Sequence, residues 1–162
     1  MKKRTKLIIS CLVFIIIAGS RSVYKNYFVD SNNYLSSKNE SGKSFFYYSS
    51  SGDNDKNAES FDFKRFNGKW SLMEFSSKKG NKINIKDNIK ISKGKFFIVI
   101  LDSEYNIITK KDETNEKGDI NFTTSKDGKY LIRIVGLNAG GKFDISVNSA
   151  KNIDISHKGF FS

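Results

Sequence analysis

Five acidic residues, Asp102, Glu104, Asp112, Glu113 and Asp119, are numerous enough to supply the paired carboxylates of a glycosidase. Each stands beside turn-forming residues, where solvated or turn-capping acids are the simpler reading. The one histidine, His157, lies in a weakly patterned tail with no partner that sequence alone would place beside it. A Ser-His-Asp or Cys-His system needs its base oriented by a third group, so His157 reads as a solvated residue. Zinc would require His/Cys clusters, which the chain lacks. Asp53, Asp55 and Asn57 alternate like the start of a calcium loop. Ala58 and Lys64 then stand where an EF-hand needs Gly and Glu, so no metal is expected. No glycine-rich phosphate loop leads into a helix, and no cofactor is expected.

Aromatic side chains suit a different chemistry. A ring face can stack on a pyranose while its polar edge stays in water, which makes Trp70, Tyr105 and Tyr47 the candidate ligand contacts. Trp70 follows a turn and opens a strand, so it serves equally well as a core anchor. Tyr105, between Glu104 and Asn106 in an expected turn, should be the most exposed of the three.

These residues are positioned by short alternating segments. Phe61 and Phe63, Ile83 and Ile85, Ile89 and Ile91, and Ile120 and Phe122 each alternate with polar neighbours, the pattern of half-buried strands. In KFFIVILD, 95–102, six consecutive apolar residues argue for a central strand covered on both faces. Asn67-Gly68 is expected to turn the chain between two strands, and Gly94 to separate two more. DGKYLIRIVGLNAGGKFDISV, 127–147, reads as a β-hairpin with LNAGG as its loop. Tyr130, Ile132 and Ile134 form one face of its first arm, with Leu131, Arg133 and Val135 on the other. With no proline in 162 residues, every turn falls to Gly, Asn, Asp or Ser. The result is an all-β expectation: an antiparallel two-sheet sandwich, jelly-roll-like, of about eight strands.

Ahead of that domain the chain carries an address. Met1–Lys6 is cationic, Leu7–Ala18 is apolar apart from Ser10 and Cys11, and Ala18-Gly19-Ser20 is small, the tripartite form of a secretory signal. Residues 1–20 are therefore expected to form a hydrophobic helix that acts as signal peptide or, uncleaved, as a membrane anchor. Cys11 is the only cysteine and falls inside the apolar run, so the exported part has no disulfide. Residues 21–58, rich in Ser and Asn, read as a polar linker with a short helix near Ser22–Asp30 and a peripheral strand at 44–50. The domain then spans 59–148, and 149–162 is a tail.

The net charge of +11 needs dividing. Lys2, Lys3, Arg4, Lys6 and Arg21 belong to the leader and its border, which leaves 23 bases against 17 acids beyond it. A net of +6 suits solubility or attraction to anionic envelope polymer. No arginine-rich helix or aromatic nucleic-acid motif is present, so nucleic acid is not an expected partner.

FNGKW (66–70), GKFFIVILDSEYNII (94–108) and DGKYLIRIVG followed by AGGKFDISV (127–147) together resemble small exported or surface-tethered proteins of Gram-positive bacteria. Their order is similar to that of the bacterial pre-peptidase C-terminal domain, with Gly128, Tyr130, Gly141 and Phe143 at the matching positions over residues 59–148. The resemblance implies a jelly-roll-like, non-catalytic accessory module. Ile98–Asp102 departs from the acidic Asp-Leu pattern of that family's central strand, so a calcium or ligand role carried by those acids does not transfer. The expectation is an exported or surface-tethered module binding a cell-envelope polymer or protein. The alternatives are a small glycan-processing enzyme using the loop carboxylates and a purely structural accessory protein.

Overall fold

The computed structural model describes residues 28–40, 42–50 and 55–160. The expected leader, Cys11, most of the Ser22–Asp30 helix and Asp53 lie outside those residues. Among the described residues, no helix is long and apolar enough to cross a membrane.

Eight antiparallel strands join one continuous sheet: β1 (Tyr47–Ser50), β2 (Ala58–Ser77), β3 (Lys82–Asp87), β4 (Lys90–Asp102), β5 (Ile107–Asp112), β6 (Ile120–Thr123), β7 (Gly128–Ser149) and β8 (Ile155–His157). A short helix, α1 (Asn32–Ser36), starts at Ser31, whose side chain accepts from the Tyr34 amide. The all-β, antiparallel expectation holds, whereas the hydrogen bonding links the strands into a single sheet. Three strands are much longer than the sequence rhythm suggests, and they explain the difference.

β2 and β7 pair along nearly their whole lengths, from Ala58↔Ser146 to Ser77↔Gly128. The expected 127–147 hairpin is therefore a correction, because the chain continues through LNAGG as one strand without reversing. So is the expected turn at Asn67-Gly68. The two signals face each other, with Gly68 opposite Gly136 and Phe66 opposite Ala139. Gly94 lies inside β4, whose pairing with β7 slips in register on both sides of Lys93. Glycines in three adjacent strands thus make one shared fold line rather than three reversals.

The ring contacts measure how sharp that fold is. Phe61 and Trp70 lie nine residues apart on β2, about 30 Å in a straight strand, yet their ring centroids are 5.9 Å apart. The glycines are needed because the backbones meet there. A Cβ on Gly136 would sit 2.4 Å from Phe66 Cδ1, and one on Gly141 would sit 2.1 Å from the Lys90 carbonyl oxygen. At Gly94 φ is +77°, and a Cβ would lie 2.4 Å from the Asn138 carbonyl oxygen.

Folding the sheet over itself produces a two-layer interior. Phe61, Phe63 and Phe143 from one half meet Phe96, Ile98 and Ile132 from the other in the main core. In the half built from β1, β3, β6 and the facing ends of β2 and β7, burial alternates along Phe143–Val147, because one face is in solvent. In the other half, Phe96–Asp102 and Tyr130–Gly136 are buried throughout. Val29 and Leu35 cover its outer face and form a second cluster with Val99, Leu131 and Val135. KFFIVILD is accordingly covered on both faces as expected. The cover comes from the segment that composition marks as linker.

Candidate functional site

β1 and β8 both pair with the same outer edge of β2, β1 at Phe61–Lys64 and β8 at Met73–Phe75. Folding β2 between these points turns the two edge strands toward one another. A groove of roughly 1090 Å³ opens between them, walled by Phe45, Phe46, Tyr47, Tyr48 and Phe160 with Trp70 at its base. Trp70 is only 4% exposed. Its Nε1 donates to the Lys158 carbonyl at 3.1 Å, and its ring meets Phe160 edge-on at 5.2 Å, which holds the tail over β2. Phe45 stacks on Phe66 at 4.6 Å, so the groove floor continues into the core. Phe46, Tyr47 and Tyr48 are 70%, 47% and 41% exposed.

Cations lie against the rings. The Arg65 guanidinium is 4.5 Å from the Phe46 ring centre, Lys64 Nζ is 5.3 Å from Tyr47, and Lys43 Nζ is 5.4 Å from Phe160. Burial, and after it the Glu59 charge, raise the Tyr48 phenol above its ordinary pKa and keep it neutral.

His157 is not a solvated tail residue. Ile155 is buried in the core and pairs with Phe75, which carries the next residues to the groove lip. His157 Nδ1 lies 2.5 Å from Oε2 of the buried Glu59, and Nε2 lies 3.0 Å from the Lys56 carbonyl oxygen. Both ring nitrogens are thus occupied by oxygens of β2 and of the segment that leads into it. The pair works as a clasp that ties the tail to β2.

The loop carboxylates lie away from the groove, and each is engaged locally. Asp102 accepts from the amides of Glu104 and Asn106 and from Lys126 at 3.0 Å, and Glu104 also meets Lys126. Asp112 accepts from Thr114 and Asn115, and Asp119 from Asn84 and the Asp87 amide. Glu113 is 2% exposed and shares Lys111 with Asp87, and its Oε1 finds no hydrogen-bond donor among the described residues. Burial, then the Asp87 charge, push its carboxyl up to about 8. No group of three metal-ligating side chains occurs among the described residues.

Tyr105 is also elsewhere. It takes a positive φ of 67° and is half-buried between cations, Arg133 5.1 Å and Lys38 5.5 Å from its ring centre. Arg133 is fully buried on β7. It donates to the carbonyls of Leu35 and Ser37, to Glu40 Oε1 at 2.8 Å and to Ser71 Oγ at 3.0 Å. The groove therefore brings Tyr47 and Trp70 together and excludes Tyr105. Phe46, Tyr48 and Phe160 were missed as site residues, although FFYY at 45–48 carried a signal. Side chains alternate along a strand, so four consecutive aromatics cannot all enter one core.

No family model matches this chain, and no curated protein does. Among solved structures, a glycosylation-associated protein complex from Streptococcus agalactiae matches with a TM-score of 0.38 and 14% identity. That match covers 59% of this chain and 37% of the other, so this chain spans well under half of its length. Accessory secretory proteins 1, 2 and 3 of Streptococcus pneumoniae give a TM-score of 0.36 at 14% identity, over 75% of this chain and 93% of theirs. PliG, a periplasmic inhibitor of g-type lysozyme from Aeromonas hydrophila, gives 0.35 at 16% identity, over 62% and 88%. None of the three is a pre-peptidase C-terminal domain.

Proposed function

We propose that this chain is an exported, non-catalytic binding module whose aromatic groove takes up a cell-envelope polymer. One observation carries the reading: Phe46, Tyr47 and Tyr48 stand in water around a concave site floored by Trp70. Rings left in solvent beside a groove forgo the burial that stabilises a fold, and such patches mark binding surfaces. Ring faces lining a channel suit the apolar faces of sugar rings in a chain. Export rests on the leader of residues 1–20, and the groove then faces the envelope.

A catalytic role has less to stand on. The ionisable pair at the groove lip, Glu59 and His157, is closed upon itself and on the Lys56 carbonyl. The loop acids cap turns or share a lysine outside the groove.

Sedimentation with purified cell wall tests the proposal. Phe46→Ala and Tyr47→Ala should each cut retention severalfold while the urea midpoint stays at the wild-type value, since both rings are largely exposed. Retention equal to wild type in both folded variants would remove the groove from the account.

A further inference from the structure

The half of the sheet with alternating burial leaves its outer face in solvent, and the strand register puts like charges together there. Lys142 on β7 pairs directly with Lys90 on β4 on one side and with Asp62 on β2 on the other. Lys64, two residues after Asp62, shares that face, and Tyr47 is its cross-strand partner on β1. At the fold line Lys93 lies over Gly140, its Cε 2.9 Å from where a Cβ would be, and Arg65 follows Lys64. Directly opposed like charges destabilise a strand pair, so Lys90 against Lys142 is a cost to the fold. The described acids on this face include Asp62, Asp144, 3.6 Å from Lys142 Nζ, and Asp119, which accepts from Asn84 on β3. No described carboxylate lies within ion-pair distance of Lys64, Lys90 or Lys93.

This cationic face runs into the groove. Lys64 lies on the Tyr47 ring and Arg65 on the Phe46 ring, and both rings wall the groove. A chain leaving the groove over Tyr47 meets Lys64 first and then, one and two strands across at about 4.8 Å per strand, Lys142 and Lys90. The site is a groove between two edge strands, a shape that a linear chain can follow and a flat bilayer cannot enter.

We infer that the groove and the Lys64–Lys142–Lys90 face form one track for a soluble, linear polyanion that carries an anionic group in each repeat. The inference rests on the groove's being a binding site, and it adds the ligand's charge. Aromatic walls hold the backbone of the chain, and the lysines displace counterions from its anionic groups.

The test uses the full chain and long-chain inorganic polyphosphate as probe, with binding measured across a series of salt concentrations. Wild type should bind, with log K falling linearly with log salt. A K64Q/K90Q/K93Q/K142Q variant, checked for an unchanged urea midpoint, should bind roughly tenfold or more weakly, its salt slope lower by about one per contacting lysine removed. A variant that binds like wild type overturns the inference. So does a wild-type chain that ignores polyphosphate, or one that binds only vesicles containing anionic phospholipid. Phe46→Ala separates the two readings. If it lowers cell-wall retention while the lysine variant keeps full polyphosphate binding, the groove stands and the polyanion falls. If the lysine variant loses polyphosphate while Phe46→Ala leaves wall retention intact, the lysines bind polyanion on their own, and the single track falls with the groove.

Discussion

Arg133 shows how much a single side chain can organise in this protein. Its alternation partners Leu131 and Val135 gave it an outward face, and nothing local says what covers that face. The answer lies about a hundred residues upstream, where Leu35, Ser37 and Glu40 present two carbonyls and a carboxylate to the guanidinium. Arg133→Met would leave Glu40 and those acceptors without their buried donor, and should cost about 3–5 kcal/mol in urea unfolding. Arg133→Lys should recover little, because an ammonium cannot reproduce the planar fork. Glu113 makes a pH prediction. Its carboxyl stands at about 8 in the folded chain, above its ordinary 4.5. The folded state therefore holds a proton that the unfolded state releases. The associated stability is complete below about pH 4.5 and is lost as pH rises to about 8, at up to about 1.4 kcal/mol per unit. Glu113→Gln should flatten the urea midpoint across that window. Lys69, lowered to about 8 by burial and then by Arg133, adds stability only above the window, as pH rises toward its ordinary 10.5.

Among the elements, the strands themselves were legible and their ends were not. Period-two patterning located most of the paired segments, and Lys79-Gly80-Asn81 and Asp87-Asn88 turn the chain where expected. Asn67-Gly68, Gly94 and LNAGG carry the same local signal and do something else. A glycine permits a reversal or a close approach equally well, and the choice depends on which strand lies opposite. Here Gly68 faces Gly136, so neither segment reverses. This distinction is measurable. Gly80 has open space around it and a φ of +78°, so Gly80→Ala should cost about 1–2 kcal/mol from backbone strain alone. Gly141→Ala must push the Lys90 carbonyl aside and should cost more, with overpacking of about 1–3 kcal/mol and further loss where β4 separates from β7. Equal urea midpoints for the two variants would mean that the fold line is not tightly packed.

At the scale of the whole molecule, a sandwich of two sheets and one sheet folded over itself bury the same residues, so alternation cannot tell them apart. The pairing of β2 with β7, unbroken from one layer into the other, does. Phe143 stacks on Phe61 at 4.8 Å and meets Phe96 at 6.2 Å, joining both layers. Phe143→Ala should cost about 3–5 kcal/mol by urea denaturation. The groove was only half legible for a related reason. Tyr47 and Trp70 were visible as rings, but the wall formed by Phe160 and the clasp of His157 on Glu59 depend on β8 returning to the edge of β2. The central claim is that this groove is where the protein meets its ligand. Trp70 is the only tryptophan in the chain, so its fluorescence reports on the groove floor directly. Titration with soluble cell-wall polymer fragments should shift its emission saturably, and Phe46→Ala should weaken that titration. Fragments that co-sediment with the folded protein while leaving Trp70 emission unchanged would place binding elsewhere and contradict the account.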